Sequence, residues 1–172
     1  MKESHDKIKE FYKKEDPWMY KTTEDDIRRK EYIVGILRSF GHFKRALDIG
    51  AGEGWITEGL PAAELWGYEL SDHAASRFPL GVGRIQCPRG KYDLVVATGI
   101  LYNHYDWERF VDMINDHASG IVLTCSMANA ELPKAIEAIR GDELFRMEFP
   151  YRHCGQRLRV FNFSDHEYRM IK

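Results

Sequence analysis

The sequence predicts an α/β fold: a doubly wound sheet, mostly parallel, with helices on both faces and an antiparallel hairpin at its C-terminal end. Three observations lead there. Short apolar runs alternate with segments of helical period along most of the chain, the pattern of a parallel sheet covered on both faces. A glycine cluster, GAGEG at 50–54, directly follows one such run. The last two strand-like runs are joined through RHCGQ, a short hairpin connection.

The elements follow in order. Residues 2–15 are charged, with Ile8, Phe11 and Tyr12 on one helical face, and Asp16-Pro17 breaks that segment. Thr22-Thr23 before Glu24, Asp25 and Asp26 is a helix start. Ile33, Ile36, Leu37 and Phe40 give that helix one buried face, and Gly41 ends it. Strands are expected at 45–49, 65–70, 82–86, 92–97, 120–125, 144–151 and 158–163. Between them, helices are expected from Trp55, over 72–77 behind a Ser71 cap, after Asp106, and over 129–140. Pro133 suits only the first turn of that last helix.

Composition narrows the class. The 172 residues fit one domain, with 1–44 as N-terminal helices over the site and 45–172 as the core. A net charge of −2 offers no general attraction to nucleic acid. Cys87, Cys125 and Cys154 form no CxxC pair, so free thiols in a reducing cytoplasm are expected. The N-terminus lacks a signal-peptide core, and no apolar run nears the ~20 residues of a membrane span.

The sharpest motif is ALDIGAGEGW, residues 46–55. Glycines there let backbone amides approach a ligand closely, and a following helix N-terminus would favour polar or negative groups. Glu69, at the end of the next strand, is placed to accept hydrogen bonds from ribose hydroxyls. The dinucleotide pattern would need glycine at 55, where this chain has Trp55, which argues against a dehydrogenase. Asp48, just before the first glycine, would repel pyrophosphate and attract an amino group or sulfonium. An adenosyl group joined to a zwitterion, as in S-adenosylmethionine, meets these requirements.

These residues resemble the class I S-adenosylmethionine-dependent methyltransferases. ALDIGAGEG is similar to their first motif, Glu69 to their ribose acid, and KYDLVVATGILYNH to their fourth-strand motif. The resemblance implies a Rossmann-like, seven-stranded sheet. It also implies cofactor contacts from Asp48, Gly50, Ala51, Gly52, Glu69, Leu70, Thr98 and Gly99. DPWMY, the helix with Asp26, Arg28 and Arg29, and ILYNH resemble nodulation protein S-like methyltransferases, which methylate the amine of a sugar unit. That likeness implies Trp18 as a wall of the cofactor pocket and Arg28 as a polar contact. The family's acid after the third strand is missing, so Gln86 or backbone atoms are expected to read the adenine.

In an open α/β sheet ligands collect at the carboxyl ends of strands, so the loop 98–106 is where chemistry is expected. His104 is the candidate general base and Tyr102 the group that orients the acceptor; His153 is the alternative base. Arg152, Arg157 and Arg159 could hold an anionic acceptor group. The oxygen ligands of a magnesium site are missing, so no metal is expected. The expected activity is methyl transfer from S-adenosylmethionine to nitrogen or oxygen of a carbohydrate-type acceptor, small molecule or glycan. The alternatives are a small metabolite or natural-product acceptor, or a non-catalytic cofactor-binding partner or sensor. A homo-oligomer would let a lidless domain borrow a partner's surface.

Overall fold

The computed structural model describes residues 5–103 and 105–164. The side chain of Ile8 and the whole of His104 lie outside the described residues.

The strands are β1 (Phe43–Ile49), β2 (Ala62–Tyr68), β3 (Val82–Arg84), β4 (Tyr92–Thr98), β5 (Ala118–Met127), β6 (Asp142–Tyr151) and β7 (Cys154–Asn162). They form one sheet in the order β3-β2-β1-β4-β5-β7-β6. Pairing is parallel from β3 through β5, and β7 runs antiparallel to both β5 and β6. The predicted seven-stranded, mostly parallel sheet with its terminal hairpin is therefore present. The chain walks outward from β1 to β3 and then returns to β4 beside β1. Its strand order reverses there, which opens a crevice at the carboxyl ends of those two strands.

Alternation along the buried strands divides the core. Leu47, Ile49, Val95, Ala97 and Val122 face one way and pack with Phe110, Val111 and Ile114 of α4 (Trp107–His117) and Ala135 of α5 (Pro133–Glu137). Ala46, Leu94, Val96, Ile121 and Leu123 face the other way and pack with Ile33 and Leu37 of α2 (Glu24–Ser39). Asp48 falls on the α2 side by the same alternation.

Several elements are shorter than the sequence suggests. The helix expected from Trp55 is a single 3-10 turn, Thr57–Gly59, because Gly59 and Pro61 leave no room before β2. The glycine turn consequently has no long helix behind it, and its backbone amides alone make the cradle. The helix expected over 129–140 is α5, starting at Pro133 as proline geometry requires. The hairpin turn is only Arg152-His153, with Arg152 at φ 48°, and Cys154 already pairs with Tyr151. Residues 154–156 join the ladder because Gln156 pairs opposite Met127 of β5.

The N-terminal segment is tied across the strand ends. It begins with α1 (His5–Phe11). Arg77, just past α3 (Asp72–Ala75), donates to the Tyr12 carbonyl at 2.6 Å and to Glu53 at 2.8 Å. Glu53 also accepts the Asp16 amide at 2.9 Å. Asp26 of α2, almost fully buried, accepts the Tyr151 hydroxyl and the Arg152 guanidinium, each at 2.7 Å. Arg152 also donates to the Trp18 carbonyl at 3.0 Å. Asp26→Ala would leave the Tyr151 hydroxyl and the Arg152 cation without this partner. A loss of about 2–3 kcal/mol is expected, read as a lower urea midpoint at unchanged m-value. An unchanged midpoint would show that Asp26 does not fasten the hairpin to α2.

Candidate active site

A cavity of about 610 Å³ lies over the carboxyl ends of β1, β2, β4 and β5. Its size falls within the roughly 300–1,000 Å³ of small-molecule sites. Of the sequence-predicted residues, Trp18, Asp48, Gly50, Ala51, Gly52, Glu69, Leu70, Thr98, Gly99 and Tyr102 line it, and so does His153.

The glycine turn makes the floor. Gly50 and Gly52 adopt φ of 74° and 57°, a left-handed backbone that side chains disfavour. A Cβ on Gly50 would stand 2.5 Å from the Ile100 side chain, and one on Gly52 would stand 2.9 Å from the Tyr12 hydroxyl. The turn is thus closed against side chains from both sides. Glu69 sits beside it, buried, and accepts the Gly52 amide at 2.9 Å and the Ser71 amide at 2.7 Å. Burial raises its pKa, and those amides resist the rise.

Asp48 is the most perturbed acid of the floor. Burial pushes its carboxyl up to about 7, against the Thr57 hydroxyl that donates at 2.7 Å and the nearby Arg29 cation. Its second oxygen, Oδ1, is buried with no hydrogen-bond partner. Such a group is costly to leave unmet.

Two predicted contacts lie elsewhere. Arg28 is exposed on the outer face of α2, 3.8 Å from Asp25, and does not line the cavity. Its neighbour Arg29 does, buried beside Cys125, Tyr20 and Tyr151, with its Nε unpartnered. Buried positions on α2 include 26, 29, 33 and 37, and the apolar spacing extended back from Ile33 by four reaches Arg29. That signal was available in the sequence. Gln86 is exposed and off the cavity, because β3 stops at Arg84 and carries the chain away. His104 lies outside the described residues.

The hairpin arginines are already engaged. Arg157 and Arg159 share a face, as alternation requires, and both bind Glu131, at 2.8 and 2.9 Å. Glu148 and Glu143 complete that network. These arginines hold the segment after β5 and are not an anion site. The phenols around the cavity present protonated hydroxyls. Burial raises the pKa of Tyr20, Tyr102 and Tyr151. The Tyr102 oxygen accepts the Met127 amide at 2.8 Å, which fixes the ring at the end of β5. At neutral pH these groups do not take a proton from a ligand.

The Asp48 pKa sets a stability dependence. Its folded value near 7 exceeds its ordinary value of 3.8, so the folded protein binds the extra proton between them. Without ligand, the Asp48 contribution is fully present below about pH 4 and is lost as pH rises through about 7. Asp48→Asn is expected to flatten the fall in urea midpoint between pH 5 and pH 8. An equally steep fall in the variant would place the titrating group elsewhere.

A family model described as a methyltransferase domain matches residues 25–165. No curated protein matches the chain in sequence. Among solved structures, the N-methyltransferase NodS from Bradyrhizobium japonicum WM9, in complex with S-adenosyl-L-homocysteine, superposes with a TM-score of 0.81 at 17% identity. That match covers 92% of this chain and 97% of NodS. Magnesium protoporphyrin IX methyltransferase from Synechocystis PCC 6803, with bound SAM, gives 0.69 at 14% identity over 92% and 96% of the two chains. The [4+2]-cyclase SpnF gives 0.62 at 11% identity over 81% of each chain. The family match spans most of the chain, and the Rossmann-like sheet agrees with it: this chain belongs to the methyltransferase domain family.

Proposed function

We propose that the cavity binds S-adenosylmethionine and that the chain passes its methyl group to nitrogen or oxygen of a carbohydrate-type acceptor. One observation carries the cofactor reading. Asp48 and Arg29 are buried charges of opposite sign at the strand ends, near enough to interact, and each keeps one unpartnered polar atom. An ammonium for Asp48 and a carboxylate for Arg29 are the two ends of an amino acid. Glu69 supports the ribose contact, and the glycine turn leaves the close approach that a backbone-bound nucleoside needs. The family match and neighbours crystallised with S-adenosylmethionine or its demethylated product support the same ligand.

In this reading residues 5–21 cover the cofactor, with Tyr12 and Trp18 as walls. The acceptor enters beside Tyr20, Tyr102, Tyr151 and His153. Aromatic walls tipped with hydroxyls suit a ring that is apolar on its face and polar at its edge. Methyl transfer is an in-line displacement, so positioning in a water-poor pocket supplies much of the rate. His104, in the loop after β4, remains the proposed base, with Tyr102 orienting the acceptor.

Calorimetry with S-adenosylmethionine and S-adenosylhomocysteine tests the cofactor. Both are expected to bind, and Arg29→Gln is expected to weaken each at least tenfold while the circular dichroism spectrum is unchanged. Because the ammonium requires ionised Asp48, binding should tighten as pH rises through about 7 and release protons below it. No binding, or equal binding by Arg29→Gln, would refute the zwitterion reading. The base is a separate matter. His104→Ala is expected to lower turnover by about 10²–10⁴, and near-normal turnover across pH would remove His104 from that role.

A further inference from the structure

Beside the end of β2 the cavity holds a polar device that the zwitterion does not use. The polar groups are graded along the sheet order. Arg29 stands beside Cys125 of β5 and near Gly99, which follows β4. Asp48 ends β1, and Glu69 follows β2. A nucleoside with its ribose on Glu69 and its amino acid toward Asp48 and Arg29 must project its base toward β3. Leu70, Ile100 and Phe110 line the cavity and pack in one apolar cluster with Tyr68. This is a slot for a flat ring.

Tyr68 belongs to the same cluster. Tyr68 lines the cavity, and its hydroxyl accepts a hydrogen bond from Arg109 Nη2 at 2.6 Å. A guanidinium has five donors and no acceptor, so the phenol hydrogen cannot go back to Arg109. Among the described residues the structure gives that hydrogen no acceptor. The Glu69 carboxylate and the Cys87 thiol, just past β3, are its other ionisable neighbours. A cation donating to a phenol oxygen strengthens the phenol as a donor. Burial also raises the Tyr68 pKa, which keeps the hydrogen in place at neutral pH.

We infer that Tyr68, polarised by Arg109, donates its hydroxyl hydrogen to a ring nitrogen of the cofactor's purine and is the side chain by which this chain reads the base. The assignment rests on the S-adenosylmethionine reading. It places base recognition on β2 and α4, where Gln86, the polar side chain after β3, lies off the cavity. Arg109 is a positioning residue that acts through Tyr68.

Calorimetry with S-adenosylhomocysteine and its 1-deaza, 3-deaza and 7-deaza analogues tests this. One hydrogen bond to a neutral acceptor corresponds to a loss of about threefold to tenfold. The wild type should bind one of the three analogues weaker by that factor. Tyr68→Phe should bind S-adenosylhomocysteine weaker by a similar factor and distinguish that analogue by less than twofold. Arg109→Ala should lose part of the discrimination, and Arg109→Lys, which keeps a cationic donor, should restore it. Thermal melting of each variant reports whether the fold is retained. The inference fails if Tyr68→Phe binds S-adenosylhomocysteine as the wild type does, or if the analogue penalty survives the substitution. If the wild type binds no S-adenosylhomocysteine, the cofactor reading itself falls and this assignment with it.

Discussion

Asp48 ends the first strand inside the protein, on the face that α2 covers. Thr57 from the following turn satisfies one oxygen, and Oδ1 is left without a partner. Burying a carboxylate this way is unfavourable unless a partner is supplied, and the raised pKa records that cost. The nearby elements answer the same demand. The glycine turn keeps side chains away from the carboxyl group, and α2 brings the Arg29 cation across the sheet. In the proposed function, a cationic group of the ligand meets that oxygen.

Around that centre, buried acids act as fasteners. Glu53 joins the glycine turn to Arg77 and to the backbone at Asp16. Asp26 joins α2 to the hairpin turn through Tyr151 and Arg152. Each tie crosses between segments far apart in sequence, and each holds a wall of one cavity. The walls are therefore held by charged hydrogen bonds, while the sheet beneath is held by apolar packing.

The glycine turn, the acid beside it and the strand run around Tyr92 were legible because local chemistry dictates them. Residues flanking the switch point are contiguous in sequence, so nine of the predicted cofactor contacts fall together on the cavity. Arg28 and Gln86 were misplaced for geometric reasons. A helix turns by about 100° per residue, so one step separates an outer arginine from a buried one. A strand that ends two residues early carries its last polar side chain away from the site. The arginines of the hairpin looked available because their carboxylate partners Glu131, Glu143 and Glu148 sit in other segments.

By itself, the sequence determined the fold class, the order of strands and helices, the glycine turn after the first strand, and the methyltransferase resemblance. Those properties follow from periodicity, glycine conformation and the spacing of one motif, all of which act over short stretches of chain. Only the tertiary structure decided which arginine enters the cavity, that the hairpin arginines are neutralised, and that Tyr68 meets Arg109. These are pairings between residues tens of positions apart. Their partners are chosen by strand order and helix packing, which no local pattern records.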